Sequence, residues 1–178
     1  MTYDFGLVGL GVMGRNFILN VAQNGFSSIG LSSSQNSINL LKSDGKSYEV
    51  DGTLDDKDFF QKLKRPRKIM LLVPAGKPVD SVIDRFLPYL EEGDIIIDGG
   101  NSHYDDTDRR YSFLKDKNIN FIGAGVSGGS KGARLGPSIM PGCDVDIYEQ
   151  IRPIFESASA KVNGDPCVTY LGNTSSGH

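Results

Sequence analysis

Residues 9–14 read Gly9-Leu10-Gly11-Val12-Met13-Gly14, between the apolar run Asp4 to Val8 and a stretch in which Phe17, Ile18, Val21 and Ala22 share one helical face. A strand, then GxGxxG, then a helix is the context in which this glycine spacing marks a dinucleotide site. Each glycine then has its own task. Gly9 makes the tight turn, Gly11 admits the pyrophosphate, and Gly14 lets helix and strand pack closely. The helix N-terminus adds unpaired N–H groups and a partial positive charge for the phosphates. The plain alternative is a structural turn with no ligand.

Outward from this turn, strand-like runs alternate with amphipathic stretches, which predicts a parallel sheet covered by helices. Gly25 ends the first helix. Ser28 to Leu31 is the second strand, followed by a helix over Ile38, Leu40 and Leu41. Thr53 and Asp56 have capping-box spacing, so Thr53 is expected to start a helix. Residues 68–73, KIMLLV, read as a buried strand, and Pro78 to Leu90 as an amphipathic helix closed by Gly93, with Pro88 kinking or ending it. DIIID at 94–98 and NFIGAGV at 120–126 are further strands. Asp105 to Lys117 reads as a charged surface helix, Val145 to Ser157 as a late helix, and CVTYL at 167–171 as the strand that closes the sheet. The fold class is α/β: a Rossmann-like, doubly wound, mostly parallel sheet with helices on both faces, residues 1–178 forming one dinucleotide-binding domain.

Composition agrees. With 178 residues the chain can bury about two-thirds of its unfolded surface. Its 22 glycines have no collagen-like period, so they mark turns and close approaches. A net charge of -3 argues against a nucleic-acid partner, which needs clustered cations. The one basic cluster, Lys62, Lys64, Arg65, Arg67 and Lys68, reads as a solvated helix end. No apolar run reaches the ~20 residues of a membrane span, and the start MTYDFG lacks the bases and apolar core of a signal peptide. Cys143 and Cys167 are too few for a disulfide scaffold. A cytoplasmic location with reduced thiols is expected.

About 20 residues past the glycine turn, NAD-binding domains usually carry an acid for the ribose 2′-hydroxyl. Here stand Ser32, Ser33 and Ser34, and no acidic residue occurs between Asp4 and Asp44. Nothing local would repel a 2′-phosphate, and three hydroxyls at a helix start can meet one. An Arg to grip it bidentately is absent. The expectation is NADP, bound weakly, with NAD the lesser candidate; a serine-rich turn without a selective role is the alternative.

Several stretches together resemble the N-terminal domain of 6-phosphogluconate dehydrogenase: GLGVMGRN at 9–16, KRPRKIMLLV at 64–73, DGGNS at 98–102, GVSGG at 125–129, GAR with GPSIMPG at 132–142, and PCVTYLG at 166–172. The wider β-hydroxyacid dehydrogenase group shares the glycine turn and the SGG loop, whereas DGGNS and SIMPG look specific to the phosphogluconate enzyme. The resemblance implies NADP-dependent oxidative decarboxylation of 6-phosphogluconate to ribulose 5-phosphate, without a metal, in gluconate utilization and the pentose phosphate pathway. It places Gly9 to Gly14, Ser32 to Ser34, Val73, Pro74, Ala75 and Asn101 at the cofactor. Asn101 then lies between nicotinamide and substrate, and Ser127, Gly128 and Gly129 bind the substrate. On the residues alone, Asn101 equally suits a turn after DGG, and SGG a simple start of a helix. His103 has no assigned role, and Cys143 reads as a small buried thiol.

The sequence departs from the family pattern in places. Ser32-Ser33-Ser34 stands for Asn-Arg-Thr, Pro74 for a Lys, and Ser130 for an acid. The family's general-base Lys falls three residues beyond the position of His178. Its acid, its phosphate-binding residues and its dimer interface come from a later helical domain, so the full-length enzyme is expected to be a homodimer and these 178 residues carry no catalytic residue. Two classes stand: the cofactor half of an oxidoreductase, inactive alone, or a dinucleotide-binding module or pseudoenzyme without turnover. Another β-hydroxyacid dehydrogenase, of hydroxyisobutyrate type, is a third reading.

Overall fold

A computed structural model describes residues 2–178. Its main sheet contains β1 (Phe5–Val8), β2 (Ser28–Leu31), β3 (Val50–Thr53), β4 (Lys68–Leu71), β5 (Ile95–Asp98), β6 (Asn120–Ser127) and β7 (Ser138–Gly142). The helices are α1 (Val12–Gln23), α2 (Gln35–Asp44), α3 (Asp56–Gln61), α4 (Lys77–Phe86), α5 (Tyr104–Lys115), α6 (Gly129–Leu135) and α7 (Val145–Ala158). The strand order is β3-β2-β1-β4-β5-β6-β7, parallel through β6, with β7 antiparallel to it.

The two-residue period of the strands divides the core. Leu7, Met70, Ile95 and Ile97 enter one layer with Phe17, Ile18 and Phe155. Val8, Ile69, Leu71 and Ile96 enter the other with Phe59, Ile83 and Phe86. Strands apolar on both faces need helices on both faces, and α1, α2, α6 and α7 cover one while α3, α4 and α5 cover the other. After β1 the chain winds outward through β2 and β3, then returns to build β4, β5 and β6 on the opposite side. That reversal opens a crevice at the carboxyl ends of β1 and β4, where such sheets bind ligands.

Four expectations need correction. Thr53 does not start a helix. It is the last residue of β3, an edge strand whose sequence VDGT has no apolar alternation and which forms by pairing with β2. Asp55 caps α3 instead, its carboxylate accepting from the Asp58 N–H at 2.7 Å. Residues 167–171 are not a strand closing the sheet; β7 closes it. CVTYL runs beside β7, where the Ile139 N–H donates to Cys167 O, and the N–H groups of Thr169 and Leu171 donate to Ile139 O and Pro141 O. A regular ladder would next need an N–H at residue 141, and Pro141 has none.

The basic cluster is not uniformly solvated. Arg67 is buried and donates to Asp94 Oδ2 at 2.7 Å and to the Phe60 carbonyl at 3.2 Å. Nor is α5 merely a surface helix. Thr107, Arg110 and Leu114, spaced i, i+3, i+7, are its buried stripe. His103, given no role from the sequence, caps α5 by accepting from the Asp105 N–H at 3.3 Å. Pro88 ends α4 early rather than kinking it. Cys143 is fully buried, and burial pushes its thiol up to about 12.

Candidate functional site

Two of the turn's glycines are required by the protein itself. Gly9 has φ of 98°, and a Cβ there would overlap the Leu72 carbonyl, with its carbon at 2.9 Å and Val73 Cγ1 at 3.1 Å. A Cβ on Gly14 would fall on the Gly9 carbonyl oxygen and 3.0 Å from Leu7 Cδ2. Gly11 differs. Its φ is -65°, ordinary for any residue, and a Cβ would meet nothing within 4 Å. The fold places no demand on glycine here, so the open space faces outward toward whatever approaches α1. Gly11 is also the N-cap of α1, and no side chain caps that helix. The first-turn N–H groups, including those of Val12 and Met13, therefore lack the side-chain acceptor that helix starts usually have. The residues present fit a pyrophosphate.

Beside this turn lies a cavity of about 420 Å³, lined by Gly9, Leu10, Gly11, Ser32, Ser33 and Ser34 on the β1–β2 side and by Val73 on the β4 side. Ser32 Oγ accepts from the Ser34 N–H at 3.1 Å, and Ser34 caps α2 by accepting from Ser37 N at 3.4 Å. Both hydroxyls keep a proton to donate. Sequence reasoning missed the opposite wall, where Asp56 and Arg85 line the same cavity, 3.2 Å apart. Asp56 corrects the expectation that no carboxylate stands near the serines. It lies outside the interval from Asp4 to Asp44 and arrives through the pairing of β3, which nothing local in the sequence announces.

A second cavity, of about 370 Å³, continues along the carboxyl edge of the sheet. Met13, Val73, Pro74, Ala75, Asn101 and Val126 line it, together with glycines 99, 100 and 125. Each cavity falls within the volume range of small-molecule sites. Val12 lines neither, its side chain being exposed, so it offers only backbone. Ser127, Gly128 and Gly129 also line neither. They follow Val126 directly, and Asn16 of α1 steadies the loop by donating to the Ser130 carbonyl at 2.8 Å. Gly128 and Gly129 have φ of 135° and 60°, which favour glycine.

The Asn101 loop is held by a buried charge network. Arg110 donates through Nη1 to Asp98 Oδ2 at 3.2 Å and Ser102 Oγ at 3.1 Å, through Nη2 to the Gly76 carbonyl at 3.0 Å, and through Nε to Asp80 Oδ1 at 2.8 Å. Ser102 donates to Asp98 at 2.6 Å, and the Gly100 N–H to Asp98 at 3.0 Å. One guanidinium thus joins the loop after β5, with Asn101, to the end of the Pro74–Gly76 segment after β4. Burial alone would raise the Asp80 carboxyl, but hydrogen bonds from Arg110 and Arg109 outweigh it and hold the group below the ordinary carboxylate range. The i, i+3, i+7 stripe of α5 was the available signal for Arg110.

Residues 4–172 match the family described as the NAD binding domain of 6-phosphogluconate dehydrogenase. The chain is 51% identical, over its whole length, to "6-phosphogluconate dehydrogenase, decarboxylating 1" of Saccharomyces cerevisiae, of which it covers 37%. It is 50% identical, again over its whole length, to the "6-phosphogluconate dehydrogenase, NAD(+)-dependent, decarboxylating" of Bacillus subtilis, covering 38% of it. Among solved structures, the 6-phosphogluconate dehydrogenase of Plasmodium falciparum, described apo, with its cofactor NADP+ and with its substrate 6-phosphogluconate, superposes with a TM-score of 0.93. Identity there is 41%, over 98% of this chain and 38% of that one. The chain thus spans somewhat over a third of the length of the relatives it matches. A glycine turn shaped by the protein at Gly9 and Gly14 but open at Gly11, a serine-walled cavity beside it, and a match through residue 172 place this chain in the family of the NAD-binding domain of 6-phosphogluconate dehydrogenase.

Proposed function

We propose that this chain is the cofactor-binding domain of an NADP-dependent, decarboxylating 6-phosphogluconate dehydrogenase. The observation that carries the dinucleotide reading is the contrast at the glycine turn: Gly11 has open space where the protein itself tolerates a side chain, at an uncapped helix N-terminus. In this reading the pyrophosphate lies over Gly11, with the Val12 and Met13 N–H groups toward it, and the adenosine ribose enters the cavity of Ser32, Ser33 and Ser34. The nicotinamide end occupies the second cavity, where Val73, Pro74 and Ala75 form one wall and Asn101 faces the substrate side. When bound, the cofactor supplies the hydride acceptor. The chain's own part is to bind, orient and exclude water.

On the substrate side, Ser127 can donate its hydroxyl proton to a carboxylate, and Gly128 and Gly129 can present backbone N–H groups to it. Oxidation of the carbinol also needs a base within hydrogen-bond reach of its hydroxyl. The resemblance puts that Lys three residues beyond the position of His178, and a later helical domain would contribute the homodimer contacts. No helix among the described residues is long and apolar enough to cross a membrane; the location we propose, from the resemblance, is cytoplasmic. The test is titration of NADP and NAD into the protein by calorimetry, before and after Gly11→Val. Binding that vanishes on substitution, with the circular dichroism spectrum intact, supports the reading. Equal binding by both proteins removes the glycine turn as the site.

A further inference from the structure

The first cavity poses a question that its serines leave open: Ser32, Ser33, Ser34 and Ser37 line a cavity whose only lining cation, among the described residues, comes from another element. That cation is Arg85, near the end of α4. Its Nε lies 3.2 Å from Asp56 Oδ2, and its guanidinium carbon lies 5.2 Å from the centre of the Phe86 ring. Asp56 sits in the first turn of α3, and its side chain is 21% exposed against 49% for Arg85. The carboxylate is thus the anchored member of the pair, and the guanidinium the one with room to move. Their closest approach is through Nε, so the two Nη groups remain as donors for a second acceptor.

Resting on the dinucleotide reading above, we propose that Arg85 is the specificity-determining residue for the cofactor's 2′ substituent: it supplies, from α4, the cation that the serine segment after β2 lacks. A 2′-phosphate entering between the serines and α4 would meet hydroxyl donors on one side and a planar fork on the other. A guanidinium suits a phosphate because it can donate two parallel hydrogen bonds. Asp56 keeps the arginine over the cavity in the absence of phosphate and balances its charge. It also repels the phosphate in part, so the preference for NADP is moderate. A bare 2′-hydroxyl offers Arg85 no charge, and the arginine stays on Asp56.

The test compares the protein with its Arg85→Gln and Asp56→Asn variants, titrating NADP and NAD into each at two salt concentrations. For Arg85→Gln we expect NADP to weaken by about tenfold or more and NAD to change less than about twofold, since one charge-assisted contact is lost. The salt dependence of NADP binding should flatten, because a screened charge has gone. For Asp56→Asn, NADP should tighten severalfold and NAD stay level. If Arg85→Gln shifts both cofactors equally, or neither, Arg85 does not read the 2′ position. If Asp56→Asn weakens NAD instead, Asp56 is the ribose acceptor and the assignment to Arg85 is overturned. If the folded parent protein binds neither nucleotide, the dinucleotide reading itself falls.

Discussion

Replacing Gly11 and Gly14 separately by Ala should divide function from folding within four residues. At Gly14 the added methyl lands on the Gly9 carbonyl oxygen and lies 3.0 Å from both the Gly9 carbon and Leu7 Cδ2. Backbone cannot rotate away as a side chain can, so the α1–β1 contact must open. Overpacking of this kind costs about 1–3 kcal/mol or more. For a domain of this size each kcal/mol is worth roughly 2–4 °C, so Gly14→Ala should lower Tm by about 2–12 °C. At Gly11 no clash arises. Ala is a poorer N-cap than Gly by some tenths of a kcal/mol, while losing a glycine from the unfolded chain returns about 0.4–1 kcal/mol. The two nearly cancel, and Tm should stay within about 2 °C. Binding should respond the other way. A methyl in the open space at Gly11 holds the pyrophosphate off the α1 N–H groups, and one charged hydrogen bond is worth about 1.5–3 kcal/mol. That is about a ten- to hundredfold loss for NADP and NAD alike, since both carry the pyrophosphate. Thermal denaturation and calorimetry on both variants check it. If Gly11→Ala binds like the parent, or lowers Tm as Gly14→Ala does, the assignment of tasks to the glycines is wrong.

Ser33→Arg should tighten NADP by about tenfold, up to a hundredfold, and leave NAD nearly unchanged, because it adds a second cation to the cavity of Arg85. Parallel titrations at one salt concentration read this, and equal tightening of both cofactors would show that Ser33 does not face the 2′ position. The 178-residue chain alone should not reduce NADP with 6-phosphogluconate. Absorbance of NADPH above a heat-killed control would refute that. Cys143 should resist alkylation at pH 8 while Cys167 reacts, because burial raises the Cys143 thiol from its ordinary 9.0 to about 12; mass spectrometry of the labelled peptides decides. A raised folded value means that the protonated thiol's contribution is complete below about pH 9 and is lost as pH rises toward 12. Stability measured by denaturant across that window should therefore fall, and the fall should shrink in Cys143→Ala.

What was legible in the sequence was local. The turn at residues 9–14 declared itself because strand, glycines and helix are contiguous, and their spacing is set by backbone geometry rather than by distant partners. The buried strands at Ser28–Leu31 and Ile95–Asp98 were readable because central strands in a parallel sheet are apolar on both faces. Edges were not. β3 has the sequence VDGT and exists only because β2 offers it a partner, and CVTYL looks like a strand yet meets a proline where the ladder needs a donor. The glycines at 9 and 14 could be named in advance, but only the tertiary structure separates them from Gly11, since whether a Cβ has room depends on Leu72 and Leu7, far away in the chain or behind the turn. The charged groups were the least legible. Arg67 and Arg110 looked solvated until Asp94 and Asp98 were seen buried beside them, and Arg85 and Asp56 looked unrelated to Ser33. A side chain's charge is written in the sequence, but its partner is chosen by which strands pair and which helices lie over them, and only the tertiary structure makes that choice.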